Sequence, residues 1–375
     1  MSPSMRPDLA ALRAAAAIGT GRSDDTATIQ AILDGYSNPY STGRIQLPLG
    51  TYRITAPLVY RGDYGYGVRI CGGHSAAQLS GTVLRWDGPP GGVVLELRGC
   101  TSTTVEHLAI DCSGTARAGI AVTYNDEAGK GTTGVYLDHL YIYGGVGSDG
   151  AAVVAGYHAD GTRDDRQCDR IILSHSTFVG HGTPGTTAYG FLVGWSNCKN
   201  FAVRDCGFTG FRTGIKFGGS GYMIVDGFAG GSNTVTDFEG STGNFEIRAG
   251  NSEQSARLFT GATGSNPGSV TISNFSWSSA NTPGDGVIVS YQGYLKLVGN
   301  DLRDWKWPGA VPLVRLDVMP GAPASLDSSG NYYANMTGQV PAIDGRGKLL
   351  GSPHVRSFGD YGGAIGTLEY LKAIP

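Results

Sequence analysis

Charge is scarce in this chain. Only 16% of its 375 residues are Asp, Glu, Lys or Arg, against a usual figure of about 25%. The formal net charge is −3, with no long basic or acidic run, so no footprint for duplex nucleic acid is present. There is no long apolar block of the kind that spans a membrane. The opening "MSPSMRPDLAALRAAAAIG" is alanine-rich but broken by Pro7, Asp8 and Arg13, and reads as a short helix, not a signal peptide. No CxxC pair occurs among the six cysteines, which argues against a zinc or redox motif. Helical periodicity is also rare. What is abundant is glycine: 61 residues, about one in six, where about 7% is average. Without a Gly-X-Y period, that excess means many tight turns. Hydrophobic residues make up 40%, enough for a sizeable core.

The turns punctuate a repeat. The order apolar, any, apolar, any, polar or Gly, two residues, apolar occurs as Thr103-Val105-His107-Ile110, Val135-Leu137-His139-Ile142, Ile171-Leu173-His175-Phe178 and Phe201-Val203-Asp205-Phe208. It returns as Val270-Ile272-Asn274-Trp277, Leu295-Leu297-Gly299-Leu302 and Leu326-Ser328-Gly330-Tyr333. The fifth positions lie 32, 36, 30, 69, 25 and 31 residues apart, so the 69 is about two periods, with one degenerate coil expected around 222–240. Between these runs sits a second pattern, Gly-apolar-any-apolar, in "GVVL" (92–95), "GIAV" (119–122), "GFLV" (190–193), "GIKF" (214–217) and "GVIV" (286–289), with "NFEI" (244–247) and "LVRL" (313–316) as variants. Each period thus carries three short strands. None can bury a face alone, but stacked coils bury a continuous core. The predicted fold is all-β: a single-stranded right-handed parallel β-helix.

A solenoid exposes strand edges at its ends unless they are covered. "GRSDDTATIQAILDG" (21–35) reads as a helix over 24–34, capped by Ser23 or Asp24, with Ile29, Ile32 and Leu33 on one apolar face. It is expected to lie across the first coil. The chain then divides into a helix and cap over 1–60, coils over 61–335, and a C-terminal cap or oligomer contact over 336–375, with a short helix around 367–373.

"SDDTATIQAILDG…GRIQLPLGTYRIT" resembles the entry motif of the pectate-lyase-like β-helix proteins, in particular the branch that includes phage tailspikes. That superfamily holds hydrolases, lyases, epimerases and non-catalytic glycan binders, so the resemblance implies a polysaccharide or cell-surface glycan as partner, but not one chemistry. It implies no nucleotide, redox or metal cofactor. It also implies a homotrimer, by analogy with tailspikes, and a location in a virion tail or outside the cell. A free-standing bacterial polysaccharide lyase or glycoside hydrolase and a non-catalytic virion protein are the alternatives.

In carbohydrate-active members the groove lies over the strand of the second pattern. By alternation, the outward residues there are Val94 and Glu96, Ala121 and Thr123, Leu192 and Gly194, Lys216 and Gly218, Glu246 and Arg248, Ile288 and Ser290, and Arg315 and Asp317. Lys216 and Glu246 are therefore expected as neighbours, with Arg248 one step along. Such a pair is either a surface ion pair worth little or part of a glycan site. For hydrolysis Glu246 would work with Asp237 or Glu239; for β-elimination Lys216 would be the base and Arg248 the neutraliser of a uronate. Arg315 lies further along the strip. Trp195 is placed to stack on a sugar ring or to fill core. The loop 157–167, with His158, Asp160, Asp164 and Asp165, is placed to line the groove or is a solvated turn. Gly180-His181-Gly182, "TGIKF" (213–217) and "SDG" (148–150) resemble loosely the motifs of polygalacturonases. That family's Asp-Asp pair has no counterpart on the intervening strand, so His181 is kept only as a groove residue.

Two columns recur inside the repeat. His107, His139, His175, Asp205 and Asn274 share one slot, and a ladder of polar side chains at the turn fits better than a catalytic or metal-binding row. Cys100, Cys168 and Cys198 share another. Coils about 4.8 Å apart would allow a Cys168–Cys198 bridge; reduced, buried thiols are the preferred reading.

Overall fold

Alternation within runs of three to seven residues, cut by glycine and left-handed turns, forces the chain to bend before a strand can lengthen. The computed structural model describes residues 19–362 apart from 38–41, 63–66, 74–79, 145–149, 158–161, 163–165, 181–188, 195–196, 220, 241–242, 262–267, 282–288, 292, 305–313, 318–324, 335–342, 347–353 and 359–360. Every strand pairing in it is parallel and links one coil to the next: Thr132–Asp138 with Cys168–Ser174, Tyr141–Tyr143 with Thr177–Val179, and Ala151–Ala155 with Tyr189–Val193. The chain is a parallel β-helix, right-handed as such crossovers are. Among the described residues most coils contribute two strands to a 22-stranded sheet that folds around a corner, and one to a second, 11-stranded sheet; in Tyr222–Gly231, Asn244–Glu253 and Ser269–Ser279 the two run together as one strand through the corner.

The corner between the first two strands is set by one residue per coil. His107, His139, His175, Asp205, Gly227, Ala249, Asn274, Gly299 and Gly330 all have positive φ, between 39° and 70°. A left-handed residue turns the chain without a loop, and the types found are mostly those that tolerate it. The polar-or-glycine slot of the repeat is thus a backbone requirement.

Gly227 and Ala249 show that two coils, not one, occupy the long interval. The strands Tyr222–Gly231 and Asn244–Glu253 pair with each other and with Phe201–Arg204 and Ser269–Ser279 on either side. The repeat is hidden because its last apolar slot is Gly230 and Ser252, in register between Phe208 and Trp277. At Gly230 a Cβ would meet the Phe228 ring at 2.1 Å: that ring takes the vacated space, stacked 5.6 Å from Phe208 and tilted against Phe275 at 6.0 Å. At Ser252 the interior turns polar, toward buried Asp237.

The helix is Thr26–Tyr36, with Ile29, Ile32, Leu33 and Tyr36 buried against the first coil. Its N-cap is Asp25, whose side chain makes no capping bond to the helix and accepts instead from the Arg53 N–H at 3.2 Å. Instead the preceding Asp24 accepts from the Thr26 N–H at 3.0 Å and its hydroxyl at 2.6 Å. Gln30 covers the exposed edge of the second sheet: its amide donates to the Val59 carbonyl at 2.8 Å and accepts from the Val59 N–H at 2.8 Å. At the other end the parallel register continues past residue 335, through Ile343–Arg346, His354–Phe358 and Tyr361–Gly362. Residues 1–18 and the stretch 367–373 lie outside the described residues.

All six cysteines are buried and none is bridged. Burial pushes the Cys206 thiol up to about 12 and the Cys71 thiol up to about 11. They pack as small apolar side chains.

Candidate functional site

The second sheet presents one outward column, fixed by register: Val59, Glu96, Ala121, Val154, Leu192, Lys216, Glu239 and Thr260; the strand register runs on through Ser290, Arg315 and Asp344. Its middle is apolar. Val93, Ala118, Ala121, Ala151, Val154 and Leu192 form a cluster separate from the main core, with Tyr157 and Tyr189 packed on it, half-exposed. Val94, expected on this strip, instead joins the main core.

Polar groups flank the apolar floor on both sides. Toward the N-terminal coils, buried Glu96 accepts two bonds from Arg98, at 2.9 and 2.7 Å, and one from the Thr123 hydroxyl at 2.7 Å. Toward the C-terminal coils, Lys216 Nζ lies 2.8 Å from Glu239 Oε1, both half-buried. Lys216 also sits 5.4 Å from the centre of the Tyr189 ring, within cation–π range. Burial works against the ammonium charge, but Glu239 and Tyr189 outweigh it and hold its pKa above the ordinary lysine value.

The expected triad does not assemble. Lys216 pairs across coils with Glu239, while Glu246 and Arg248 lie on the other sheet, in the strand Asn244–Glu253. "NFEI" belongs to the first pattern: Phe245 and Ile247 point inward there, next to the corner residue Ala249. The slot it was expected to fill is taken by Glu239. On its own face Glu246 accepts from the Tyr222 hydroxyl and from Arg248 Nε, the latter at 2.6 Å. That hydrogen bond, with the carboxylate's field, raises the Arg248 pKa.

Asp237 is not a groove residue either. It is fully buried, and its Oδ1 accepts from Asn233 at 2.8 Å and from Ser255 at 2.7 Å. Burial drives its pKa up to about 6, against the pull of Ser252, Ser255, Asn233 and Trp277. This carboxyl is what the polar Ser252 faces inside the coil. Arg315 pairs in register with Ser290 and Asp344 further along the second sheet; Trp195, His181, His158, Asp160, Asp164 and Asp165 lie outside the described residues.

Sequence reading missed Tyr157, Tyr189 and Val154. The strand Ala151–Ala155 reads "AAVVA"; with two alanines in place of Gly-apolar it escapes the second pattern, although Gly150 just before it was a usable signal.

The histidine column does form a ladder, at the surface: His107 and His139 are half-buried and His175 is exposed. The rings of His107 and His139 are 4.8 Å apart, and those of His139 and His175 5.0 Å. Asp138 binds the Nδ1 atoms of His139 and His175, each at 2.8 Å, and accepts from the Ser174 hydroxyl at 2.7 Å. Burial opposes ionisation of Asp138, yet the bonds from His175, Ser174 and His139 hold its carboxyl down to about 2.

No protein-family profile and no curated protein sequence matches the chain. Solved structures do, at low identity. The A-module of the mannuronan C-5 epimerase AlgE6 of Azotobacter vinelandii superposes with a TM-score of 0.60 at 13% identity, over 94% of this chain and 98% of that one. The surface adhesin PfbA of Streptococcus pneumoniae gives 0.57 at 11%, over 94% and 89%. A tailspike protein of E. coli bacteriophage HK620, in complex with a pentasaccharide, gives 0.59 at 13%, over 92% of this chain and 64% of the tailspike. At these identities the likeness concerns the fold: a parallel β-helix.

Proposed function

We propose that the chain is a glycan-binding β-helix whose contact surface is the outer side of the second sheet around Tyr157, Tyr189, Lys216 and Glu239. One observation carries the reading: two tyrosine rings sit on an apolar floor beside an ion pair. Aromatic rings stack against the C–H faces of sugars, and a half-buried Lys–Glu pair supplies a donor and an acceptor for hydroxyls or a carboxylate. That the same fold holds a pentasaccharide in a phage tailspike and an epimerase of a polysaccharide supports this choice of ligand class. The partner is a polysaccharide or cell-surface glycan, the setting a virion tail or the cell exterior, and the assembly a homotrimer; light scattering on the purified chain tests the last.

Cleavage is the finer part of the proposal, and residue types favour β-elimination over hydrolysis. Hydrolysis needs two carboxyl groups about 5–10 Å apart. Among the described residues Glu239 has Lys216 and Thr260 as its neighbours in the column, and Asp237 is sealed in the interior. Elimination needs a base and a cationic or hydrogen-bonding partner for the uronate carboxylate, and Tyr189 with Lys216 supplies those types.

The test is a panel of neutral and uronate-containing polysaccharides, read by affinity electrophoresis, reducing ends and the ultraviolet absorbance of unsaturated ends. Retarded migration on at least one polymer is expected, and absorbing product if elimination occurs. Reducing ends without absorbance would overturn the preference for elimination. Unretarded migration on every polymer would overturn the binding proposal.

A further inference from the structure

The corner ladder carries chemistry that a glycan surface does not use. Asp138, His139 and His175 come from adjacent coils and lie at or beside the left-handed corner. One ligand atom from each lies within 4.8 Å of the others. Two imidazole nitrogens thus already converge on one carboxylate, each at 2.8 Å. Metal–nitrogen and metal–oxygen bonds are about 2.0–2.2 Å, so a cation between these atoms requires only small side-chain rotations. The His139 and His175 side chains are 41% and 53% exposed, which leaves a path in and room for a water ligand.

We propose that Asp138, His139 and His175 form a site for one divalent transition-metal ion of the zinc or nickel kind. The ion takes the place of the hydrogen that each Nδ1 shares with the carboxylate; that proton leaves to solvent and Nε2 takes one up, so each ligand is a neutral imidazole protonated on Nε2. Asp205 stands on the far side of His175, its Oδ2 3.9 Å from Nε2, where a carboxylate favours that tautomer. Two imidazoles select zinc, nickel or copper over magnesium and calcium, which prefer all-oxygen sets. The His107 ring lies tilted against that of His139, 4.8 Å between centres, but offers none of the converging ligand atoms, so it is a neighbour of the site and not a ligand.

The test is calorimetric titration of the full chain, without a histidine tag, with zinc chloride and nickel chloride, alongside cobalt(II) absorption spectra. One equivalent is expected to bind. His175→Ala and Asp138→Asn should each weaken it by roughly 10-fold or more, with loss of the cobalt band, while His107→Ala keeps it. His139→Ala serves in place of Asp138→Asn if circular dichroism shows that variant unfolded. No saturable binding, or His175→Ala binding as tightly as the parent chain, overturns the proposal. Neither result depends on glycan binding.

Discussion

Nine coils turn the same corner on one left-handed residue each, and the residues used are three histidines, one aspartate, one asparagine, three glycines and one alanine. The side chain in that slot answers first to φ and only then to chemistry. Gly330 isolates the backbone contribution, because a Cβ there would meet nothing within 4 Å while φ is +62°. Gly330→Ala should therefore lower stability by about 1 kcal/mol, read as a shift in urea midpoint with an unchanged slope. Asp237 makes a second prediction at this scale. Its folded pKa is about 6 against 3.8 for the free group, so the unfolded chain ionises first as pH rises. The stability this group contributes is complete well below pH 3.8 and is lost as pH rises through about 6, a fall of about 2 kcal/mol between pH 4 and 7. Asp237→Asn should flatten that part of the profile. Asp237→Asn retaining the parent's pH dependence of the urea midpoint across this range would remove Asp237 as its source.

Elements were legible wherever the repeat kept its apolar slots. The helix and its apolar face are evident from Ile29, Ile32 and Leu33, yet its start shifts, because Thr20–Asp24 is drawn into a strand beside Gly50–Ile54. No local pattern announces that pairing. Two coils vanished from the repeat for a packing reason: Phe228 fills the room over Gly230, and Ser252 turns toward a buried carboxyl. Losing them moved "NFEI" onto the wrong sheet and put Glu246 where Glu239 stands. The helix also does more than cover apolar surface. Gln30 satisfies both backbone groups of Val59 at an edge strand. Gln30→Ala should cost about 1–3 kcal/mol and raise amide exchange at Val59 ahead of the inner strands; a uniform rise across all coils would instead place the loss in global stability.

At the scale of the whole molecule, the coils divide the surface into faces whose residues cannot meet. One sheet carries Glu246 with Tyr222 and Arg248, another Lys216 with Glu239 and Tyr189, and the corner carries the histidines. Sequence periodicity finds the stack but cannot count coils whose apolar slots are gone, so it merges two faces into one. The most direct measurement is a titration of a bound polysaccharide against three proteins of equal fold content: the parent chain, Tyr189→Ala combined with Lys216→Ala, and Glu246→Gln combined with Arg248→Ala. Weakening of roughly 10-fold or more in the first pair, from loss of stacking and a charged hydrogen bond, with parental affinity in the second, is the predicted result. Parental affinity in the Tyr189 and Lys216 protein, with the loss in the Glu246 and Arg248 protein, would contradict it and move the glycan to the other sheet.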